Sequence, residues 1–278
     1  MGVENKMREI DKLYIGLCEE LRRGNKVEDL VELNNVRFTL EDITDPIIGV
    51  RNLSISYLCG ELLWYFTRDN SMSFIDKFSK MWGRISDDGV TSNSAYGKIV
   101  FEKYGFDQVE TVIELLSKNK HSKRALINFN VPNKNKMTTK DEICTIMLQF
   151  YIRDDRLNCT AVMRSNDIWR GLPYDIVFFT ILQRYIADRV GVAYGSYTHF
   201  AVSLHAYERD LENLMQVIRH KKDTQQIVIN DYTKLFDLDL MRKLYERVDS
   251  SESPREEVII EFYTALIISF IKSREILL

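Results

Sequence analysis

The sequence predicts an α+β fold in a single domain, on three observations. Segments with helical periodicity and short extended apolar runs follow one another without a regular βαβ alternation. The 278 residues are 45% apolar, enough for one substantial core. No repeat, low-complexity tract or linker divides them, and only four prolines punctuate the chain.

The elements follow in order. Residues 5–23 place Met7, Ile10, Leu13, Tyr14, Leu17 and Leu21 on one helical face. Residues about 28–40 read as extended. Leu53 to Phe66 reads as a buried helix carrying Glu61, and Phe106 to Leu116 as a second helix. Ala125 to Asn130 predicts a strand, with a polar loop from Pro132 to Asp141 behind it. Ile143 to Ile152 and Leu157 to Met163 read as neighbouring strands joined at Arg153-Asp154-Asp155-Arg156. Tyr174 to Val190 is a long apolar helix, Tyr197 to Tyr207 a strand, and Glu208 to His220 a helix. Residues from about 225 to 278 predict a divergent C-terminal helical extension. Its most apolar part, Val258 to Ile271, follows Ser253-Pro254-Arg255-Glu256, a capping box with proline at the first helical position. That stretch is too short to span a bilayer and contains Glu261, so a buried or interface helix is expected. Ile267 to Leu278 reads as helical too.

Composition narrows the function. A net charge of −3 gives no general attraction to nucleic acid or anionic membrane. Cys18, Cys59, Cys144 and Cys159 have no Cys-x-x-Cys spacing, which fits a reducing, cytoplasmic compartment and no zinc site. The histidines 121, 199, 205 and 220 add no metal-ligand spacing. The opening Met1-Gly2-Val3-Glu4-Asn5-Lys6 is polar and charged, so no signal peptide is expected there, and Lys6 argues against myristoylation.

Four motifs carry the chemistry. Cys144 sits in Glu142-Ile143-Cys144-Thr145, with Gln149-Phe150-Tyr151 downstream. Then come Arg164-Ser165-Asn166-Asp167, Gly171-Leu172-Pro173-Tyr174-Asp175 and Ser203-Leu204-His205-Ala206-Tyr207. A thiol, an Arg-Ser pair, two aspartates and a His-x-Tyr are the parts needed to activate a pyrimidine nucleotide. A thiolate adding at ring carbon 6 makes carbon 5 an enamine-like nucleophile toward a one-carbon electrophile. The bland alternative for Cys144 is a buried strand cysteine.

This set resembles the thymidylate synthase superfamily, most closely its deoxycytidylate hydroxymethylase branch, over roughly residues 20 to 220. The resemblance implies a mixed sheet packed with helices, a sheet-to-sheet homodimer, methylenetetrahydrofolate as co-substrate and no metal. It makes Cys144 the nucleophile, although Ile143-Cys144-Thr145 departs from the Pro-Cys-His usual in the synthases. Arg164 would populate the thiolate and hold the nucleotide phosphate bidentately, with Ser165 adding a hydroxyl. In Ser122-Lys123-Arg124, Lys123 and Arg124 would reach the partner's phosphate across the dimer; a solvated basic turn is the plain reading. Arg23, with Arg22 a rival by register, matches an N-terminal phosphate arginine. Glu61, in Gly60-Glu61-Leu62-Leu63-Trp64, would be the proton shuttle, since a buried carboxyl has a raised pKa. An interface glutamate paired with arginine is the alternative. Trp82 and Tyr96 would lie near the folate and the thiol, and Asp167, Gly171 and Arg51 would hold the folate. His205 and Tyr207, two apart on a strand, share a face and would bind the sugar.

Asp175 is the departure that sets the base, because a thymidylate synthase would carry asparagine there. An amide donates to uracil's 4-carbonyl and accepts from its ring nitrogen, whereas a carboxylate only accepts. It therefore suits cytosine, unless Asp175 merely caps the helix after Pro173. The reaction expected is hydroxymethylation of dCMP or CMP. Methylation of dUMP or a cytidylate is the alternative within the same fold, and a non-catalytic nucleotide-binding homologue is the third possibility.

Overall fold

The computed structural model describes residues 7–130, 138–220, 226–229, 231–264, 268–272 and 275–276. Most of the loop expected after Pro132 therefore lies outside the described residues.

Helix α1 (Glu9–Leu21) turns the face read from its periodicity into the core, with Ile10, Tyr14, Leu17 and Leu21 buried. The extended segment after it divides into β1 (Asn25–Val27) and β2 (Leu30–Leu40), a hairpin turned at Glu28, which has positive φ. Helix α2 (Ile55–Phe66) starts where the Ser54 side chain accepts the Tyr57 N–H, a standard N-cap. Three short helices follow: α3 (Met72–Ile75), α4 (Met81–Ile85) and α5 (Tyr96–Phe101). Helix α6 (Gln108–Lys118) begins two residues later than its apolar pattern, because the Asp107 carboxylate caps Val109 and Glu110. Strands β3 (Leu126–Asn128), β4 (Thr145–Arg153), β5 (Arg156–Met163) and β6 (Asn166–Asp167) lead to α7 (Leu172–Val190). Strand β7 (Ala193–Tyr207) and helix α8 (Leu211–His220) complete the main body.

Among the described residues, seven strands form one mixed sheet in the order β1-β2-β7-β5-β4-β3, with β6 on the end of β7. The β5–β7 and β6–β7 pairs are parallel and the others antiparallel. This order brings the C-terminal end of β7 beside Asn166-Asp167, and the start of β4 beside the end of β5. The register of β4 slips between Thr145 and Met147, an irregularity of the kind found next to active sites. Helix α7 lies on the sheet, where the buried Gln183 amide donates to the carbonyls of Leu157, Gly195 and Ser196.

Helix α2 is buried from Leu58 to Phe66, so its apolar surface is enclosed on all sides rather than along one stripe. It meets α5 at a point only glycine allows. A Cβ on Gly97 would lie 1.8 Å from the Tyr65 carbonyl oxygen. That close approach places Tyr96 against Tyr65, with ring centroids 5.4 Å apart.

The C-terminal region differs from expectation. After β8 (Gln226–Ile229) come helix α9 (Leu238–Ser250), capped by Asp237, and helix α10 (Pro254–Thr264), which starts at the proline of the expected capping pattern. The helix expected through Ile271 stops at Thr264, however. Residues beyond it form β9 (Ile268–Lys272) and β10 (Glu275–Ile276), in an antiparallel three-stranded sheet with β8. Ile268, Phe270 and Ile271 are β-branched or aromatic, and a short apolar run does not fix its own period. This region also packs on the main body. Phe236 stacks on Tyr185 at 3.5 Å between centroids, Tyr245 on Phe74 at 4.0 Å, and Val258 and Phe262 are buried.

Candidate active site

A cleft of about 410 Å³ opens where β4, β5, β6 and β7 end against α2, α5 and the N-terminus of α7. Its lining contains Glu61, Trp82, Tyr96, Cys144, Arg164, Ser165, Asp167, Gly171, Asp175, His205 and Tyr207, each expected from sequence. These residues converge because the sheet order puts separate strand ends side by side.

Cys144 precedes β4 and is half-buried. Arg164 directly follows β5 and is pinned to the loop that carries the thiol. Its Nε donates to the Ile143 carbonyl at 3.0 Å and its Nη2 to the Glu142 carbonyl at 2.7 Å. The same Nη2 lies 3.7 Å from Cys144 Sγ. Burial pushes the Cys144 thiol up to about 11, and the Arg164 charge opposes it. The resting cleft thus holds a thiol, with the cation that favours its ionisation already in contact.

Glu61 projects from α2 beneath two tyrosines one turn away on either side. Tyr57 Oη donates to Glu61 Oε1 at 2.6 Å and Tyr65 Oη at 3.3 Å. Trp82 Nε1 donates in turn to Tyr57 Oη at 3.1 Å. Burial raises the Glu61 carboxyl to about 8, against the pull of both tyrosines, and the nearby Asp175 charge adds to the rise. A carboxyl poised near neutrality can both take and give a proton.

Asp175 lies in the first turn of α7 but does not cap it. Its carboxylate receives the Asn166 Nδ2–H at 2.7 Å and a hydrogen bond from Tyr96. Burial lifts it to about 7, and those two donors hold it down. Gly171 makes room for the arrangement, since a Cβ there would sit 3.1 Å from Asn166 Nδ2 and 3.2 Å from Asp175 Oδ2. Asp167 anchors the turn before α7, its Oδ1 accepting the N–H groups of Trp169 and Arg170 at 2.8 and 3.0 Å.

His205 and Tyr207 share the face their spacing implied, with rings edge-to-face at 5.5 Å. His205 is buried, and its Nδ1 has no hydrogen-bond partner among the described residues.

Four expected residues lie outside this cleft. Arg51 donates to the Trp169 carbonyl at 3.0 and 3.1 Å and stacks over that indole at 3.4 Å. It lines an adjoining hollow of about 240 Å³ that shares Tyr57, Met81, Arg170 and Tyr174 with the cleft. Arg23, Lys123 and Arg124 are exposed and line neither space.

Sequence reasoning missed Tyr57, Tyr65, Asn166, Tyr197 and His199. The tyrosines carried a usable signal, since positions 57, 61 and 65 fall on one helical face. Tyr197 and His199 looked like ordinary strand core. Tyr197 Oη lies 2.7 Å from His199 Nδ1, and His199 Nε2 lies 3.0 Å from Asn166 Oδ1.

Among the described residues, no group of three or more acidic, histidine or cysteine side chains could hold a metal, and no helix is long and apolar enough to cross a membrane. A family model described as thymidylate synthase matches residues 10–248. The chain is 27% identical over 216 residues to a thymidylate synthase of Buchnera aphidicola subsp. Acyrthosiphon pisum (strain APS), covering 72% of this chain and 81% of that one. It is 24% identical over 298 residues to a thymidylate synthase of Staphylococcus haemolyticus (strain JCSC1435), covering 84% of this chain and 93% of that one.

Proposed function

The chain belongs to the thymidylate synthase family, a family of one-carbon transferases, and from that premise we propose that it acts on carbon 5 of a cytidylate. The observation that carries the substrate is Asp175. It is an acceptor with two protein donors already on it, facing a cleft that holds a thiol and a poised carboxyl. The exocyclic amino group of cytosine supplies the proton such an acceptor lacks, whereas a uracil carbonyl opposes it.

In this reading the Cys144 sulfur adds to ring carbon 6, with Arg164 favouring the thiolate. Glu61 moves protons at the base, and the tyrosines at 57 and 65 hold it in place. Arg164 and Ser165 take the phosphate, and His205 and Tyr207 take the sugar. The indole of Trp82, the Asp167 carboxyl and the cation of Arg51 in the adjoining hollow fit a flat pterin with an anionic tail. Methylenetetrahydrofolate, when bound, would supply the one-carbon electrophile. Lys123 and Arg124, exposed on the turn before β3, would complete the phosphate site of a second subunit in a homodimer.

For the product we propose hydroxymethylation. The Cys144-Thr145 pair, in place of the Cys-His of the synthases, resembles the hydroxymethylases and supports this product. The relatives' shared name, thymidylate synthase, supports a second reading, methylation of a uridylate.

Incubation with methylenetetrahydrofolate and CMP, dCMP, UMP or dUMP, followed by mass analysis, separates these readings. A gain of CH2O marks hydroxymethylation and a gain of CH2 marks methylation. Asp175→Asn should weaken use of the cytidylate and improve use of the uridylate, a swing of at least about tenfold in relative kcat/KM. Wild-type preference for dUMP that Asp175→Asn leaves unchanged would overturn the cytidylate assignment.

A further inference from the structure

Behind Asp175 runs a line of buried polar groups with no part in the chemistry described so far. Tyr197 Oη, the His199 ring and the Asn166 amide are all buried, and they end on Asp175 Oδ2. Burying so many polar groups costs free energy that apolar side chains would not, unless each is satisfied. Each is satisfied, and the bonds fix one another's direction. Asn166 gives its Nδ2–H to Asp175, so its Oδ1 must accept from His199 Nε2. His199 Nε2 then carries the hydrogen and Nδ1 is bare. Nδ1 accepts the hydroxyl hydrogen of Tyr197. Burial lowers His199 to about 3, so the ring stays neutral and keeps this tautomer. Phe38 stacks on the ring at 5.0 Å and 9°, which holds its plane.

We propose that Asn166, oriented by His199 and Tyr197, is a positioning residue that keeps Asp175 an acceptor toward the base and so sets the preference for an amino-bearing pyrimidine. The inference rests on the cytidylate reading of Asp175. Its physical basis is a balance at one carboxyl. Desolvation favours the protonated form, while donors to the carboxyl favour the charged form. Asn166 is one of two such donors. Without it, the carboxyl takes up a proton more readily. A protonated carboxyl can donate to a uracil carbonyl, and discrimination is lost. His199 and Tyr197 act one step further back, since without them the amide is free to turn its oxygen toward Asp175, which demands a proton there. The placement depends on fold rather than on local sequence. Asn166 pairs with Leu204 in the parallel β6–β7 ladder, which sets it at the end of the line through His199 on β7.

The test is kcat/KM for a cytidylate and for the matching uridylate in Asn166→Ala, His199→Phe, His199→Gln and Asp175→Asn, with thermal melting as the check on folding. Asn166→Ala should reduce the cytidylate-over-uridylate ratio by about tenfold, through improved relative use of the uridylate. His199→Phe keeps the stack on Phe38 and removes the donor to Asn166, so it should move the ratio the same way by a smaller factor. His199→Gln retains one donor and one acceptor and should restore much of the ratio. If both substrates weaken equally in Asn166→Ala and His199→Phe while Asp175→Asn still swings the ratio, the relay has only a structural role and this inference fails by itself. If Asp175→Asn also leaves the ratio unmoved, the cytidylate reading fails first. Should Asn166→Ala not fold, His199→Phe decides the matter alone.

Discussion

The two walls of the cleft are built on opposite terms. On the wall formed by α2, α5 and α7, both carboxyls are already satisfied by the protein: Glu61 by two tyrosines, Asp175 by Asn166 and Tyr96. On the sheet wall, Arg164 leans on two backbone carbonyls while touching the thiol, and His205 Nδ1 has no partner among the described residues. The first wall is organised before anything binds, which suits recognition of a neutral base and the timing of a proton. The second is cationic and partly unsatisfied, which suits a phosphate, a sugar and a sulfur that changes its bonding. Buried polar groups are normally paired, so an unpaired one against a cleft points to a ligand, and a fully paired set points to positioning. Substitutions on the sheet wall should therefore touch either bond formation or affinity, and those on the helix wall proton transfer and selectivity.

The largest effect is expected at Cys144. Cys144→Ala should abolish turnover and nucleotide-dependent exchange of the carbon-5 proton, while nucleotide binding survives. An alanine variant that still exchanges that proton would remove the thiolate adduct from the mechanism. The same variant probes the homodimer proposal. Cys144→Ala and Arg124→Ala subunits, each inactive alone, should regain some activity on mixing, since one site of a mixed pair has both residues. Subunit exchange without any rescue counts against shared phosphate sites.

Next comes Glu61 on the opposite wall. Glu61→Gln keeps the shape and removes the acid, so the rate of chemistry should fall about 10²-fold or more with nucleotide affinity nearly unchanged. The variant also has a stability signature. Folded Glu61 holds its proton up to about 8, against an ordinary value of 4.5. Between those values the unfolded chain binds fewer protons than the folded one, so stability falls as pH rises. Glu61→Gln should flatten that decline in melting temperature. An affinity loss with unchanged chemistry, or an unaltered pH dependence of melting, would reassign Glu61 to structure.

These contrasts follow what the sequence made legible. The longer elements between α1 and α8 were readable because each carries its own signal, such as the proline in the first turn of α7, whereas α3, α4, α5 and β6 are too short to show a period. The sheet-wall residues were readable because Cys144, Arg164-Ser165 and His205-x-Tyr207 are short motifs whose chemistry is complete within a few positions. The support behind the helix wall was not. Asn166, His199 and Tyr197 meet Asp175 only after β6 pairs with β7, and nothing in a strand of apolar character announces a relay. The C-terminal region failed for another reason: Ile268, Phe270 and Ile271 satisfy a helical or an extended pattern equally, and pairing with β8 decides between them.

The smallest effect is expected from Tyr207→Phe, and it tests the idea that the sheet wall gives affinity where it does not give bond formation. The substitution removes one hydroxyl. It leaves the ring, and with it the edge-to-face contact with His205 and the Arg209 guanidinium 4.4 Å above. The fold should be unaffected and the melting temperature nearly unchanged. A net hydrogen bond to a sugar hydroxyl is worth about 0.5–1.5 kcal/mol, so KM for the nucleotide should rise roughly two- to tenfold. The thiol, the cation beside it and Glu61 are all untouched, so kcat should hold. A change in kcat with KM constant would mean that the hydroxyl acts in the reaction rather than on the sugar. The division between the two walls would then fail at the point where β7 joins them.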